Sequence, residues 1–60
     1  MLAEQRYKGI LRLMEADGTV KSSSIKDELN ISRETVRRDL EKMEELGLLR
    51  RMHGGAILTD

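Results

Sequence analysis

Two clusters of cationic side chains carry the chemistry that this sequence offers. Arg33, Arg37 and Arg38 form the first; Arg50, Arg51 and His53, beside Gly54-Gly55, form the second. Guanidinium groups pair bidentately with phosphate and with the O6/N7 edge of guanine. In the first cluster arginines lead and acids follow, as Asp39, Glu41, Glu44 and Glu45. The helix macrodipole favours the opposite order, acids first and bases last. A helix built for stability alone would not choose this order, whereas one whose N-terminal end faces a polyanion would. The same stretch also reads as an ordinary solvated face, because Glu34–Arg38 and Arg37–Glu41 are i, i+4 ion pairs. The second cluster reads either as a basic hairpin tip that lies along a phosphate backbone or as a plain turn with solvated charges. In the first reading the two glycines let backbone amides approach phosphate closely. His53 alone is an ordinary surface histidine, and only its place at the tip brings it into the argument.

The elements that position these groups follow from periodicity. Tyr7, Ile10, Leu11 and Met14 fall at i, i+3, i+4 and i+7 and predict an amphipathic helix over about 3–16, with Arg6, Lys8, Arg12 and Glu15 on its polar face. Asp17-Gly18 closes it. Thr19-Val20 has room for no more than one or two bridging residues. Ser22-Ser23-Ser24 supplies N-cap candidates, including a Ser24–Asp27 capping box, for a second helix over about 22–30 buried through Ile25 and Leu29. Asn30 tolerates the left-handed geometry of a sharp turn. Ser32 caps a third helix over about 32–46, packed through Val36, Leu40 and Met43 with Leu46 at the edge of the stripe, and Gly47 ends it. A three- or four-residue connection between the second and third helices is helix-turn-helix spacing. Leu48–Met52, His53-Gly54-Gly55 and Ala56–Thr59 then read as a β-hairpin over about 48–59, its register left open. At about 100° per residue the third helix turns Arg38 away from its apolar stripe, sets Arg37 on the flank and leaves Arg33 free in the first turn. Ser22 opens the second helix, where capping and phosphate contact can both occupy it.

Composition narrows the alternatives. Sixty residues predict one domain, with a thin stability margin. There is no cysteine and one histidine, so neither a disulfide nor a metal site is expected, and no cofactor is implied. The expected core is Tyr7, Ile10, Leu11, Met14, Val20, Ile25, Leu29, Ile31, Val36, Leu40, Met43, Leu46, Leu49 and Ile57. No apolar run approaches a membrane span, and Glu4, Arg6 and Lys8 after Met1 leave no signal peptide, so a cytoplasmic domain with no membrane partner is expected. Net charge is zero, arranged as a mosaic with basic islands. Single-strand readers need exposed aromatic platforms, and the one aromatic residue, Tyr7, lies on the core face. No nucleophile–base pair stands at usable spacing, so an enzyme is not expected.

The segment Ile31-Ser32-Arg33-Glu34-Thr35-Val36-Arg37-Arg38-Asp39-Leu40, then Leu46-Gly47, then Arg51-Met52-His53-Gly54-Gly55-Ala56, resembles the DeoR family of bacterial transcriptional regulators. Arg6, Ile10-Leu11 and Gly18-Thr19-Val20 agree with it as well. Ser22 stands where the family usually has an aliphatic residue, and Asn30 where glycine is commoner. The resemblance implies a three-helix winged helix-turn-helix, mainly α with a small β-hairpin, whose third helix is the recognition helix. It implies DNA contacts from Ser32, Arg33, Glu34, Thr35, Arg37 and Arg38, and from the wing at Arg51, His53, Gly54 and Gly55. Arg33 and Glu34 fall at the family's variable positions and are the candidates for base discrimination. Thr35, Arg37 and Arg38 fall at fixed positions, which suits phosphate. The expected function is sequence-specific binding of double-stranded DNA at an operator, as part of a repressor. A sugar-phosphate effector would act through a domain absent from this chain, and a homo-oligomer would supply affinity that one small module lacks. The alternative is a winged-helix protein-interaction module that docks a partner on the acidic face of Glu41, Glu44 and Glu45.

Overall fold

The apolar stripes set the helices, and the glycine-rich turns set the strands between them. The computed structural model describes residues 2–59. In chain order the elements are α1 (Ala3–Leu13), β1 (Thr19–Lys21), α2 (Ser22–Leu29), α3 (Arg33–Glu45), β2 (Leu49–Met52) and β3 (Gly55–Leu58). The strands form one antiparallel sheet in the order β1-β3-β2. Three helices and a small sheet in this arrangement make a winged helix-turn-helix, mainly α. No described helix is long and apolar enough to cross a membrane.

Side chains from all three helices and the sheet meet in one core. Ile10 and Met14, from α1 and the turn after it, pack with Ile25 of α2, with Val36, Leu40 and Met43 of α3, and with Leu49 and Ala56 of the wing. Leu46 is not part of it. It sits at the C-cap of α3 and is 55% exposed, because the Val36–Leu40–Met43 stripe has already turned past it. Ala56 takes an inward position on the central strand, where a small residue leaves no hydrophobic signal.

Local chemistry marks the ends of α3. Ser32 Oγ accepts from the Thr35 amide at 3.1 Å, satisfying an orphan donor of the first turn. At the other end the Leu48 amide reaches back to the Met43 carbonyl at 3.0 Å, and the Gly47 amide to Glu44 at 3.0 Å. That pair of bonds is a Schellman closure, with Gly47 at φ +78°. Asn30, at φ +53°, makes the turn between α2 and α3. The first helix stops at Leu13, short of the expected residue 16, and residues 14–17 form turns.

Two expectations near α2 need correction. Thr19–Lys21 is a full strand, registered as Thr19↔Ile57, Val20↔Ala56 and Lys21↔Gly55. Three residues carry no strand signal by themselves, and pairing with β3 creates the strand. No serine caps α2 either. Its N-cap is Lys21, which has no side-chain hydrogen bond, and Ser22 is the first helical residue. The Ser22 amide is satisfied from outside the helix, by the Gly54 carbonyl at 2.9 Å. The wing therefore caps α2.

Candidate nucleic-acid interface

The register of the wing brings its tip over the helix-turn-helix. β2 pairs with β3 as Leu49↔Leu58, Arg50↔Ile57, Arg51↔Ala56 and Met52↔Gly55, turning at His53-Gly54. Between the wing, α2 and α3 lies an open concavity of about 990 Å³. It gathers Ser22 from α2, Arg33, Glu34 and Arg37 from α3, and Arg51, His53, Gly54 and Gly55 from the wing. Two members of each cationic cluster, Arg33 with Arg37 and Arg51 with His53, thus share one surface, although Arg37 and Arg51 stand 14 residues apart in the chain and Arg50 does not line it. Ser32, Thr35 and Arg38 do not line it. The hydroxyls of Ser32 and Thr35 are hydrogen-bonded to each other at 2.9 Å, and Arg38 projects beside the concavity, its side chain 74% exposed. Ser23, one of the three serines that open α2, lines it beside Ser22, and Lys26 and Met52 also line it and are absent from the sequence-derived set. Lys26 lies one helical turn beyond Ser22, so the i, i+4 spacing from a suspected contact could have found it.

Acidic neighbours hold several of the arginines. Arg37 donates to Glu34 through Nε at 3.3 Å and again through Nη2, and its Nη1 lies 3.1 Å from Glu41 Oε2. Arg38 Nε lies 3.3 Å from Glu34 Oε2. These bonds pull the Glu34 carboxyl below its usual range, chiefly through the hydrogen bond from Arg37, and raise the Arg37 guanidinium further. Both i, i+4 pairs read from the sequence are therefore present, with an i, i+3 pair added. Arg33 has no ion pair among the described residues. Exposed pairs are weak and exchangeable, so a phosphate can take over an arginine from a glutamate.

Glu41 and Glu44 are turned inward on the wing. Glu44 accepts from the Arg51 backbone amide at 2.9 Å and from Arg51 Nε at 3.0 Å, and Glu41 Oε2 lies 3.6 Å from Arg51 Nη1. The backbone bond first, then the side-chain bond, holds the Glu44 carboxyl below its usual range. Hence the acidic face expected to receive a protein partner is largely committed within the domain. Only Glu45 remains strongly exposed, with Lys42 at 4.0 Å.

Carboxylates of this kind make stability depend on pH. Glu34, Glu44 and Asp17 all sit below their ordinary values, Asp17 through the Thr19 amide and then its hydroxyl. In the unfolded chain such groups bind protons near pH 4. Between that range and their lower folded values the unfolded state binds more protons, so their contribution is complete above about pH 5 and is lost as pH falls through the folded values. Melting temperature is expected to stay level from pH 7 to 5 and to fall below that. A melt at pH 3 that matches pH 7 would remove these pairs from the account.

The two wing glycines have different jobs. Gly54, at φ +81°, is exposed at the tip and gives its carbonyl to α2. Gly55 is buried in the sheet. A Cβ placed there would stand 2.1 Å from the Val20 carbonyl oxygen. Gly55 thus has a reason of its own to lack a side chain, the close approach of β1, beside the phosphate contact expected of it. The Ser22 amide, already bonded to Gly54, is not a free donor for phosphate.

Asp39 is the residue the sequence most misleads about. It is 3% exposed and bidentate with Arg6, at 2.6 Å to Nε and 3.1 Å to Nη2. Arg6 therefore leaves the polar face of α1 assigned to it and ties α1 to α3 behind Arg37-Arg38. The signal was available, since Asp39 stands three residues after Val36 and four before Met43, inside the apolar stripe.

The family model of the DeoR-like helix-turn-helix domain matches residues 6–60. The lactose phosphotransferase system repressor of Lactococcus lactis subsp. lactis is 48% identical over 58 residues, covering 97% of this chain and 23% of the relative. The corresponding repressor of Streptococcus mutans is 43% identical over 56 residues, covering 93% and 22%. The glycerol-3-phosphate regulon repressor of Escherichia coli (strain K12) is 38% identical over 58 residues, covering 97% and 23%. The chain spans less than a quarter of the length of these relatives. No solved structure gives a significant match. On the match across residues 6–60 and the identity to these repressors, the chain belongs to the family of DeoR-like helix-turn-helix domains.

Proposed function

We propose that this domain binds double-stranded DNA sequence-specifically at an operator and serves as the reading end of a cytoplasmic transcriptional repressor. The observation that carries the reading is the convergence of Arg33 and Arg37 of α3 and the wing tip on one concavity. In this reading the N-terminal half of α3 enters the major groove, Arg33 and Glu34 discriminate bases, and Arg37, Arg38 and the wing grip phosphate. Arg33, without an ion pair among the described residues, needs no bond broken before it meets a base. Ser32 and Thr35 act by shaping the helix start. The printed names of the relatives, repressors of a lactose phosphotransferase system and of a glycerol-3-phosphate regulon, support a phosphorylated sugar or polyol as effector. Most of each relative lies outside the matched region, and there we assign effector sensing and dimerisation of a full-length regulator. It is a binding unit, without catalytic chemistry of its own.

Salt titrations test this. A duplex selected from a random-sequence pool and a scrambled duplex are titrated with wild-type protein, Arg37→Ala and Arg38→Ala. Each arginine variant weakens binding to both duplexes and flattens log K against log salt by about 0.9 for each lost phosphate contact. Unchanged slopes would remove the phosphate role. Equal wild-type affinity for the two duplexes would remove sequence specificity.

A further inference from the structure

We propose that Glu44 is a positioning residue for DNA binding, acting through the backbone of the wing. The inference rests on the DNA-binding reading and deepens it. β2 is an edge strand, paired with β3 alone, and the Arg51 amide points off its open side. An edge amide ordinarily meets water or another strand. Here it donates to Glu44 Oε2 at 2.9 Å, while Oε1 of the same carboxylate accepts from Arg51 Nε at 3.0 Å. One side chain of α3 thus holds both the main chain and the side chain of the wing. A second tie, from the Ser22 amide to the Gly54 carbonyl at 2.9 Å, fixes the tip on α2. With the wing tied to each helix, the angle between β2 and the recognition helix is set before any ligand arrives. A ligand then finds Arg51 and His53 already placed against the surface of Arg33 and Arg37, without the cost of ordering a loose hairpin.

Coulomb's law makes the proposal testable by sign. Glu44 is a negative charge beside a surface meant for a polyanion, so its removal alone should tighten binding. A lock predicts the reverse for alanine and not for glutamine. Glu44→Gln removes the same charge but keeps an oxygen that accepts from the Arg51 amide. Glu44→Ala is expected to weaken binding about tenfold, the scale of one lost charge-assisted hydrogen bond. Glu44→Gln is expected to tighten it about twofold, the scale of one exposed charge at moderate salt. Amide exchange in the free protein is measured in parallel. Arg51 exchanges roughly tenfold faster in Glu44→Ala and remains protected in Glu44→Gln, as local opening of one edge predicts. Thermal melts identify any variant that is unfolded rather than unlocked. If both variants shift affinity by the same factor, in either direction, or if Arg51 exchange is unmoved in folded Glu44→Ala, the proposal is overturned. Should the wild-type protein bind no duplex, the DNA reading fails, and the exchange measurement still decides the lock.

Discussion

Gly55→Ala melts roughly 12–24 °C below the wild-type domain, the largest loss expected from deleting or adding a single methyl group here. The added Cβ would meet the Val20 carbonyl oxygen at 2.1 Å, its carbonyl carbon at 3.1 Å and Lys21 Cα at 3.2 Å. All three are backbone atoms of β1, so no rotamer change relieves the overlap. β1 must separate from β3, breaking the Val20↔Ala56 and Lys21↔Gly55 pairing. A cost of about 3 kcal/mol or more follows from overpacking that cannot relax. In a domain this small each 1 kcal/mol is worth about 4–8 °C. The damage also reaches the candidate interface, because β1 runs directly into α2 and the Ser22 amide is bonded to Gly54. Gly54→Ala is the matched control. Its φ of +81° strains an L residue, but no atom lies within 4 Å of the new Cβ. The strain there is about 1–2 kcal/mol. Differential scanning calorimetry of both variants decides the matter: a Gly55→Ala melt within a few degrees of wild type, or above that of Gly54→Ala, contradicts the packing.

The second large effect concerns the buried ion pair. Arg6→Met is expected to lower the melting temperature by on the order of 15 °C, by leaving the Asp39 carboxylate in the core without its partner. Asp39 is 3% exposed, and both its oxygens are bonded to the Arg6 guanidinium. Breaking a buried pair is costly because one charge stays behind, whereas replacing both partners with apolar groups is often neutral. The double variant Arg6→Met/Asp39→Leu should therefore recover most of the lost stability. A single variant that melts like wild type would show that Asp39 finds water or another donor. A double variant no better than the single would show that the pair, not the orphaned charge, supplies the stability. The pair also carries function: it fastens α1 to α3 one residue beyond Arg38, so a loosened α3 should present Arg33 and Arg37 less well.

Gly55 and Asp39 are both in plain view in the sequence, and for each the structure supplies a reason that local reading does not. His53-Gly54-Gly55 signals a turn, and the turn exists at His53-Gly54, while Gly55 already belongs to β3. Asp39 reads as one of the acids of α3, yet its spacing from Val36 and Met43 puts it in the buried stripe. A buried acid implies a partner, yet nothing local names that partner, which lies 33 residues away. Ser22 shows the same limit in a milder form. Its type suggested a cap, and the cap came from Gly54, far along the chain.

What the sequence determined by itself was whatever depends on neighbours within about one helical turn. The stripe of Val36, Leu40 and Met43, the Ser32 cap, the Gly47 stop, the Asn30 turn and the pairs of Glu34 and Glu41 with arginines all close over three to five residues. Such signals need no knowledge of how elements pack. The motif from Ile31 to Leu40, with the wing residues after it, was enough to indicate the family. Tertiary structure alone decided that Thr19–Lys21 is a strand, that Arg6 meets Asp39, that Glu44 grips the wing and that Gly55 must have no side chain. Each of these is set by the distance between two elements, and that distance is settled by the whole core at once.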